Sequence, residues 1–252
     1  MKQIKSSTLH KNTRLHWNYF LALERDLESI SRYVEFCPDN LNTYSIELAH
    51  LLFSAASEAD TLAKCICTIL DPNARSGNIN EYRDVIKAAE ENETYGFGPS
   101  KTGKPDILQE THKQRLSALN VYIPRYSLQL TPWESWAQNQ NPDWWNSYNK
   151  VKHERNQHFN KATLSNAVNA LAGLLAVNYV HFRLEMSRSD LQQRYQFRAK
   201  NVTRYMQPES TFVRFESAFY DHPIAELGEY INQVSMDVNR LAGEMPDFHN
   251  AP

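Results

Sequence analysis

The chain has 252 residues, of which 41% are hydrophobic, 12% aromatic and 22% charged, with only 7 glycines. That length holds one sizeable core or two small domains, and so little glycine excludes a turn-rich sandwich or barrel, so helices are expected. With 27 basic and 29 acidic side chains the formal charge is −2, which excludes a surface coated throughout for nucleic acid or anionic lipid but leaves room for a local basic patch.

Lys2, Lys5, Lys11 and Arg14 head the chain without an acid, yet no apolar run of secretory length follows. The spacing from about Leu15 to Phe36 predicts a first helix, stopped by Pro38, Asp39 and Asn40. Leu48, Leu51, Leu52, Ala55, Ala59, Leu62, Ile66 and Ile69 recur in threes and fours and predict a long second helix, closed by Asp71-Pro72-Asn73. A shorter amphipathic helix is expected over Ile79 to Asn92, its acids Glu81, Asp84, Glu90, Glu91 and Glu93 forming a solvated face. Gly98 to Lys104 has the glycine and lysine spacing of a phosphate-binding loop, but Pro105 replaces the final hydroxyl and no strand precedes it, so a surface loop is expected.

A helical piece near Ile107 to Leu119 leads into NVYIPRYSLQLTPW, whose β-branched and aromatic residues around Pro124 predict extended chain. Trp133, Trp136, Trp144 and Trp145 then cluster. Packing onto a helical core is the expected role, and stacking on bases the other. Asp143 and Thr163 are expected to cap the next two helices, the second carrying the most apolar stretch, Leu164 to Val180. Ser165, Asn166, Asn169 and Asn178 interrupt that stretch, so it predicts a buried core helix and not a membrane span.

Arg188, Arg194, Arg198, Lys200 and Arg204 alternate with Tyr195, Phe197 and Tyr205, a pattern suited to single-stranded RNA. Segment 210–220 alternates as a strand with Val213, Phe215 and Phe219 on one side, and Ile224 to Leu241 forms a heptad seam that docks in cis or pairs two subunits. From Glu209 onward eight acids face Arg214 and Arg240, so charge is segregated along the chain. The expected organisation is a mainly α bundle over 1–205 and a strand-and-helix appendage over 206–252 packed on the same domain. Cys37, Cys65 and Cys67 are odd in number and poorly spaced for a disulfide or a zinc site, so a soluble cytoplasmic protein without cofactor is expected.

The densest polar group runs from Trp144 to Phe159 and contains Asn149, Lys152, His153, Arg155, Asn156 and His158. On one continuous helix Trp144, Tyr148, Val151 and Arg155 share a face, so Arg155 and His158 end an apolar stripe and need partners, for which Ser57, Glu58 and Asp60 are candidates. A metal site is disfavoured, because five residues turn about 500° and set His153 and His158 on different sides of a helix.

The layout SEADTLAKCIC on a long helix, then WW-x2-YN-x2-KH-x-RN running into ATLSNAVNALAGLL, resembles the helical bundle of HEPN (higher eukaryote and prokaryote nucleotide-binding) proteins over about Leu48 to Phe182. The resemblance implies a metal-independent ribonuclease of defence or toxin type, with RNA as partner and a composite site across a homodimer. Arg155 and Asn156 match the family's arginine and following polar residue. The family's histidine lies four to six positions past the arginine, whereas Asn160, Lys161 and Ala162 stand near there and the nearest histidines are His158 and His153. The candidate catalytic residues are therefore Arg155, His158 and His153, with Asn149, Lys152, Asn156, Glu58, Asp60, Arg194 and Arg198 binding RNA or supporting them. The alternative is a non-catalytic helical module that binds a protein or a nucleotide and whose polar group is structural.

Overall fold

The computed structural model describes residues 8–91, 115–188, 202–216 and 219–220. The loop at 98–104, Arg194, Arg198 and the heptad seam over 224–241 lie outside the described residues. The fold is mainly α. In chain order it comprises α1 (Thr8–Ile30), α2 (Ile46–Leu70), α3 (Ile79–Glu91), β1 (Val121–Ile123), β2 (Leu128–Leu130), α4 (Asp143–His153), α5 (Arg155–His158), α6 (Leu164–Arg188) and α7 (Val202–Tyr205). No helix among the described residues is long and apolar enough to cross a membrane.

The core is built on α2 against α6, with α1 and α4 also packed on α6 and α3 on α2. Ser45, in extended conformation, caps α2 by accepting from the Leu48 N–H at 3.1 Å, and Asp71 ends it by donating its own N–H to Cys67 at 2.8 Å. Ala55, Ala56 and Ala59 on α2 and Ala170, Ala172 and Ala176 on α6 are fully buried. Such small side chains let two helices approach closely. Helix α6 is buried on nearly all sides, and Thr163 caps it by accepting from the Asn166 N–H at 3.2 Å.

Several elements depart from expectation. Helix α1 ends at Ile30, six residues before Phe36, because Ser29 and Ser31 turn their hydroxyls back to the Arg25 and Glu28 carbonyls and compete with helical bonding. Pro38 to Asn40 is a separate turn of 3-10 helix. Asp143 is the first residue of α4 and not its cap, since Pro142 holds the preceding extended conformation. Of the helical piece expected before the hairpin, only the 3-10 turn Leu116–Ala118 falls among the described residues. Strands β1 and β2 form the expected extended chain as an antiparallel hairpin, Val121 facing Leu130.

Segment 210–216 is not a strand. One carboxylate oxygen of buried Glu24 accepts from the N–H groups of Phe212 at 2.9 Å and Val213 at 2.8 Å, and only Arg214 pairs with β1, as an isolated bridge to Tyr122. Val213, Phe215 and Phe219 are nonetheless buried together. Nor is the acid-rich α3 wholly solvated. Glu90 is 8% exposed and accepts from the Leu116 N–H at 2.8 Å, while burial raises its carboxyl above the usual range against the opposing charge of Arg183.

The four clustered tryptophans are all buried, so stacking on bases is ruled out for them. Trp133 donates to the Gly173 carbonyl at 3.1 Å and Trp144 to the Pro132 carbonyl at 2.8 Å. Gly173 on α6 makes this docking possible, because a Cβ there would lie 2.9 Å from Trp144.

Candidate functional site

Helix α4 presents two faces with different chemistry. Trp144, Trp145, Tyr148 and Val151 are buried and anchor it to the bundle. Asp143, Asn146, Ser147 and Lys150 recur at steps of three and four, so they share a second face, which forms one wall of a cleft of about 770 Å³. The opposite wall comes from Asn42 and Tyr44 before α2 and from Asn160, Lys161, Thr163, Ser165 and Asn166 around the start of α6.

The helix does not run on. Glu154 leaves the helical region with φ −135° and ψ 50°, and the carbonyl of Glu154 then accepts from the N–H groups of Gln157 and His158, both at 3.0 Å, to start α5. The break overturns the expectation that Arg155 ends a buried apolar stripe. Arg155 is exposed instead, its guanidinium 5.1 Å from the centre of the Phe53 ring on α2. Such a contact holds the side chain in place while leaving its N–H donors unused.

The other members of the group are equally accessible. Lys152, His153 and Asn156 are exposed, Lys152 standing 5.3 Å over the Tyr148 ring, and Asn149 is half-buried. His158 is half-buried with Nε2 3.3 Å from a Glu154 carboxylate oxygen. From Lys150 to Lys161 the chain carries six basic or imidazole side chains, Lys150, Lys152, His153, Arg155, His158 and Lys161, against the single acid Glu154.

Glu58 and Asp60 do not join this group. The Glu58 carboxylate meets His16 Nδ1 from α1, and Asp60 takes the Lys64 ammonium and the Tyr82 hydroxyl, the latter at 2.9 Å. The expected buttress of Arg155 and His158 by these acids is thus replaced by pairing of Glu58 with α1 and of Asp60 with α3 and with Lys64 of its own helix.

Around His16 the structure forms a second polar group that the sequence did not suggest. Hydrogen bonds with Cys65 and Glu58 raise the His16 imidazole to about 9 against a smaller opposing effect of burial. His181 on α6 meets it edge-on with ring centres 5.7 Å apart, and burial, aided by the His16 charge, lowers His181 to about 4. One imidazole is therefore charged and its neighbour neutral at pH 7. The three cysteines are free thiols, and burial pushes Cys67 up to about 12, which makes it a poor nucleophile at neutral pH. Among the described residues no three His, Cys, Asp or Glu side chains are grouped so as to hold a metal ion.

Residues missed in the sequence are Lys150, Lys161, Glu154, Asn42, Tyr44, Asn146 and Ser147. The polar i, i+3, i+4, i+7 spacing of 143, 146, 147 and 150, on the side of α4 away from its tryptophans, was the available signal. No family model, no curated protein and no solved structure matches the chain.

Proposed function

We propose that this protein binds RNA along the ridge formed by the end of α4, α5 and the turn to Lys161, and cleaves it there without metal. The observation that carries the reading is the exposure of the basic group. Lys150, Lys152, His153, Arg155 and Lys161 all face solvent with one acid among them. A cationic ridge of this kind suits a phosphate backbone, and Arg155 in particular is braced by Phe53 without a carboxylate to neutralise it. The ridge coincides with the segment that resembles the HEPN proteins, whose composite sites imply a homodimer.

In the proposed cleavage His158 accepts the proton of a ribose 2′-hydroxyl, whose oxygen attacks the adjacent phosphorus. Arg155 stabilises the charge that builds on the phosphoryl oxygens. The bond to the 5′-oxygen breaks, that oxygen takes a proton from His153, and a 2′,3′-cyclic phosphate remains. Glu154 positions the His158 ring by holding Nε2, so Nδ1 is the nitrogen offered to substrate.

The test is fluorescence anisotropy with a labelled RNA oligomer in the presence of chelator, paired with gel analysis of the product. Arg155→Glu should weaken binding at least tenfold, and His158→Gln should bind normally and leave the RNA intact. Undiminished binding by Arg155→Glu defeats the RNA reading. Cleavage that survives in His158→Gln removes only the assigned base.

A further inference from the structure

We infer that the cleft between α4 and the start of α6 seats one unpaired nucleotide of the RNA strand, its base against Tyr44 and its phosphate between Lys150 and Lys161. The inference rests on the RNA reading above and adds the form of RNA recognised. A cleft of about 770 Å³ lies within the range of small-molecule sites, roughly 300–1,000 Å³, and admits a turned-out nucleotide but not a paired stack.

The obvious donors for a phosphate, the first backbone N–H groups of α6, are already used. Leu164 donates to Thr43 at 2.8 Å, Ser165 to Leu41 at 3.0 Å and Asn166 to the Thr163 hydroxyl at 3.2 Å. Recognition therefore falls to side chains. Lys150 and Lys161 line the cleft, are exposed, and have no acid within ion-pair distance among the described residues. Asp143 is the one acid in the walls, so the lining stays net positive.

A second observation points to a ligand. Ser147 is only 9% exposed and lines the cleft, yet its hydroxyl has no hydrogen-bond partner among the described residues. Its oxygen is not sealed from solvent, so it opens to the cleft and is available to something that enters. Asn146 and Asn166 each donate one amide N–H, to the Asn141 and Lys161 carbonyls, which fixes the amide planes and leaves their oxygens as acceptors, suited to a 2′-hydroxyl or an exocyclic amine. Tyr44 is 52% exposed, and its ring is braced edge-on by Phe159 at 5.8 Å, which gives a base a fixed aromatic platform.

The experiment measures binding of a labelled single-stranded RNA oligomer, the duplex of the same sequence, and a competing nucleoside monophosphate at one salt concentration. Wild type should prefer the single strand at least tenfold. Tyr44→Ala, an exposed position, should weaken single-strand binding about tenfold with little effect on the duplex, whereas Lys150→Ala/Lys161→Ala, which also removes two charges of the basic ridge, should weaken both forms and the single strand more. Ser147→Leu, whose fold is checked by thermal melting, should act as Tyr44→Ala does by filling the cleft. Equal affinity for the two RNA forms, or cleft variants that bind as wild type while Arg155→Glu still fails, would overturn the inference and spare the RNA reading. A monophosphate that competes as well as the oligomer overturns the assignment to a strand. Absence of RNA binding by wild type removes both readings.

Discussion

The two edge-on histidines of α1 and α6 should together contribute a stability term that peaks near pH 6.5. His16 is raised from 6.5 to about 9 by Cys65 and Glu58, and His181 is lowered from 6.5 to about 4, chiefly by burial. A raised imidazole keeps its proton in the folded state after the unfolded chain has lost it. The stabilisation from His16 is therefore complete below pH 6.5 and lost as pH climbs through 9. For His181 the sign reverses, because the unfolded chain takes up a proton that the buried ring refuses, so its contribution is present above pH 6.5 and lost as pH falls through 4. One proton of difference changes stability by about 1.4 kcal/mol per pH unit, so each limb spans about 3 kcal/mol. His16 is 13% exposed and His181 5%, so solvent screening removes little of either effect. The assay is urea unfolding at half-unit steps from pH 4.5 to 9, with His16→Gln and His181→Gln compared with wild type by difference, which cancels the carboxylates common to all three. His16→Gln should flatten the alkaline limb and His181→Gln the acid limb. A His16→Gln curve that runs parallel to wild type between pH 6.5 and 9 refutes the assigned charge state.

Three further outcomes follow from packing and hydrogen bonding. Gly173→Ala places a methyl 2.9 Å from Trp144, and the overpacked tryptophan cluster should cost about 1–3 kcal/mol, read from the urea midpoint with a blue or red shift in tryptophan emission. Glu24→Ala strands the N–H groups of Phe212 and Val213 in the core, at about 1–3 kcal/mol for each stranded donor, and should speed amide exchange at both positions. Glu90→Ala leaves the Leu116 N–H without its acceptor in a buried setting, so a loss of about 1–3 kcal/mol is expected in the same unfolding assay.

The long helices were legible because periodicity is a local property. Leu48 to Ile69 and Leu164 to Phe182 carry their apolar residues at helical spacing, and α2 and α6 cover both stretches. Side-chain partners were not legible, since pairing depends on which helix lies opposite. Glu58 was a candidate partner for Arg155 and His158 until α1 placed His16 beside it. Glu90 read as one of several surface acids, and only the return of the chain at Leu116 gave it a buried role. The alternation at 210–216 was real, and its apolar residues are indeed buried, but Glu24 from α1 took the hydrogen bonds a strand requires.

The break at Glu154 decides what the polar segment can do. On a continuous helix residue 155 would follow Val151 by one turn, and Val151 is fully buried. A guanidinium carried inward at that point would need a buried acid, and Glu58 and Asp60 of α2 are already engaged with His16, Lys64 and Tyr82. Leaving the helical region at Glu154 avoids that conflict and turns Arg155 outward against the Phe53 ring. Beyond the break Glu154 still stands one turn before His158, where its carboxylate meets Nε2. Trp144, Trp145 and Tyr148 hold α4 rigidly up to that point, so the basic ridge begins from a fixed support and not from a free loop. Rigidity of this kind favours a surface that must hold an arginine and a histidine in constant relation, as the cleavage proposed for Arg155 and His158 requires.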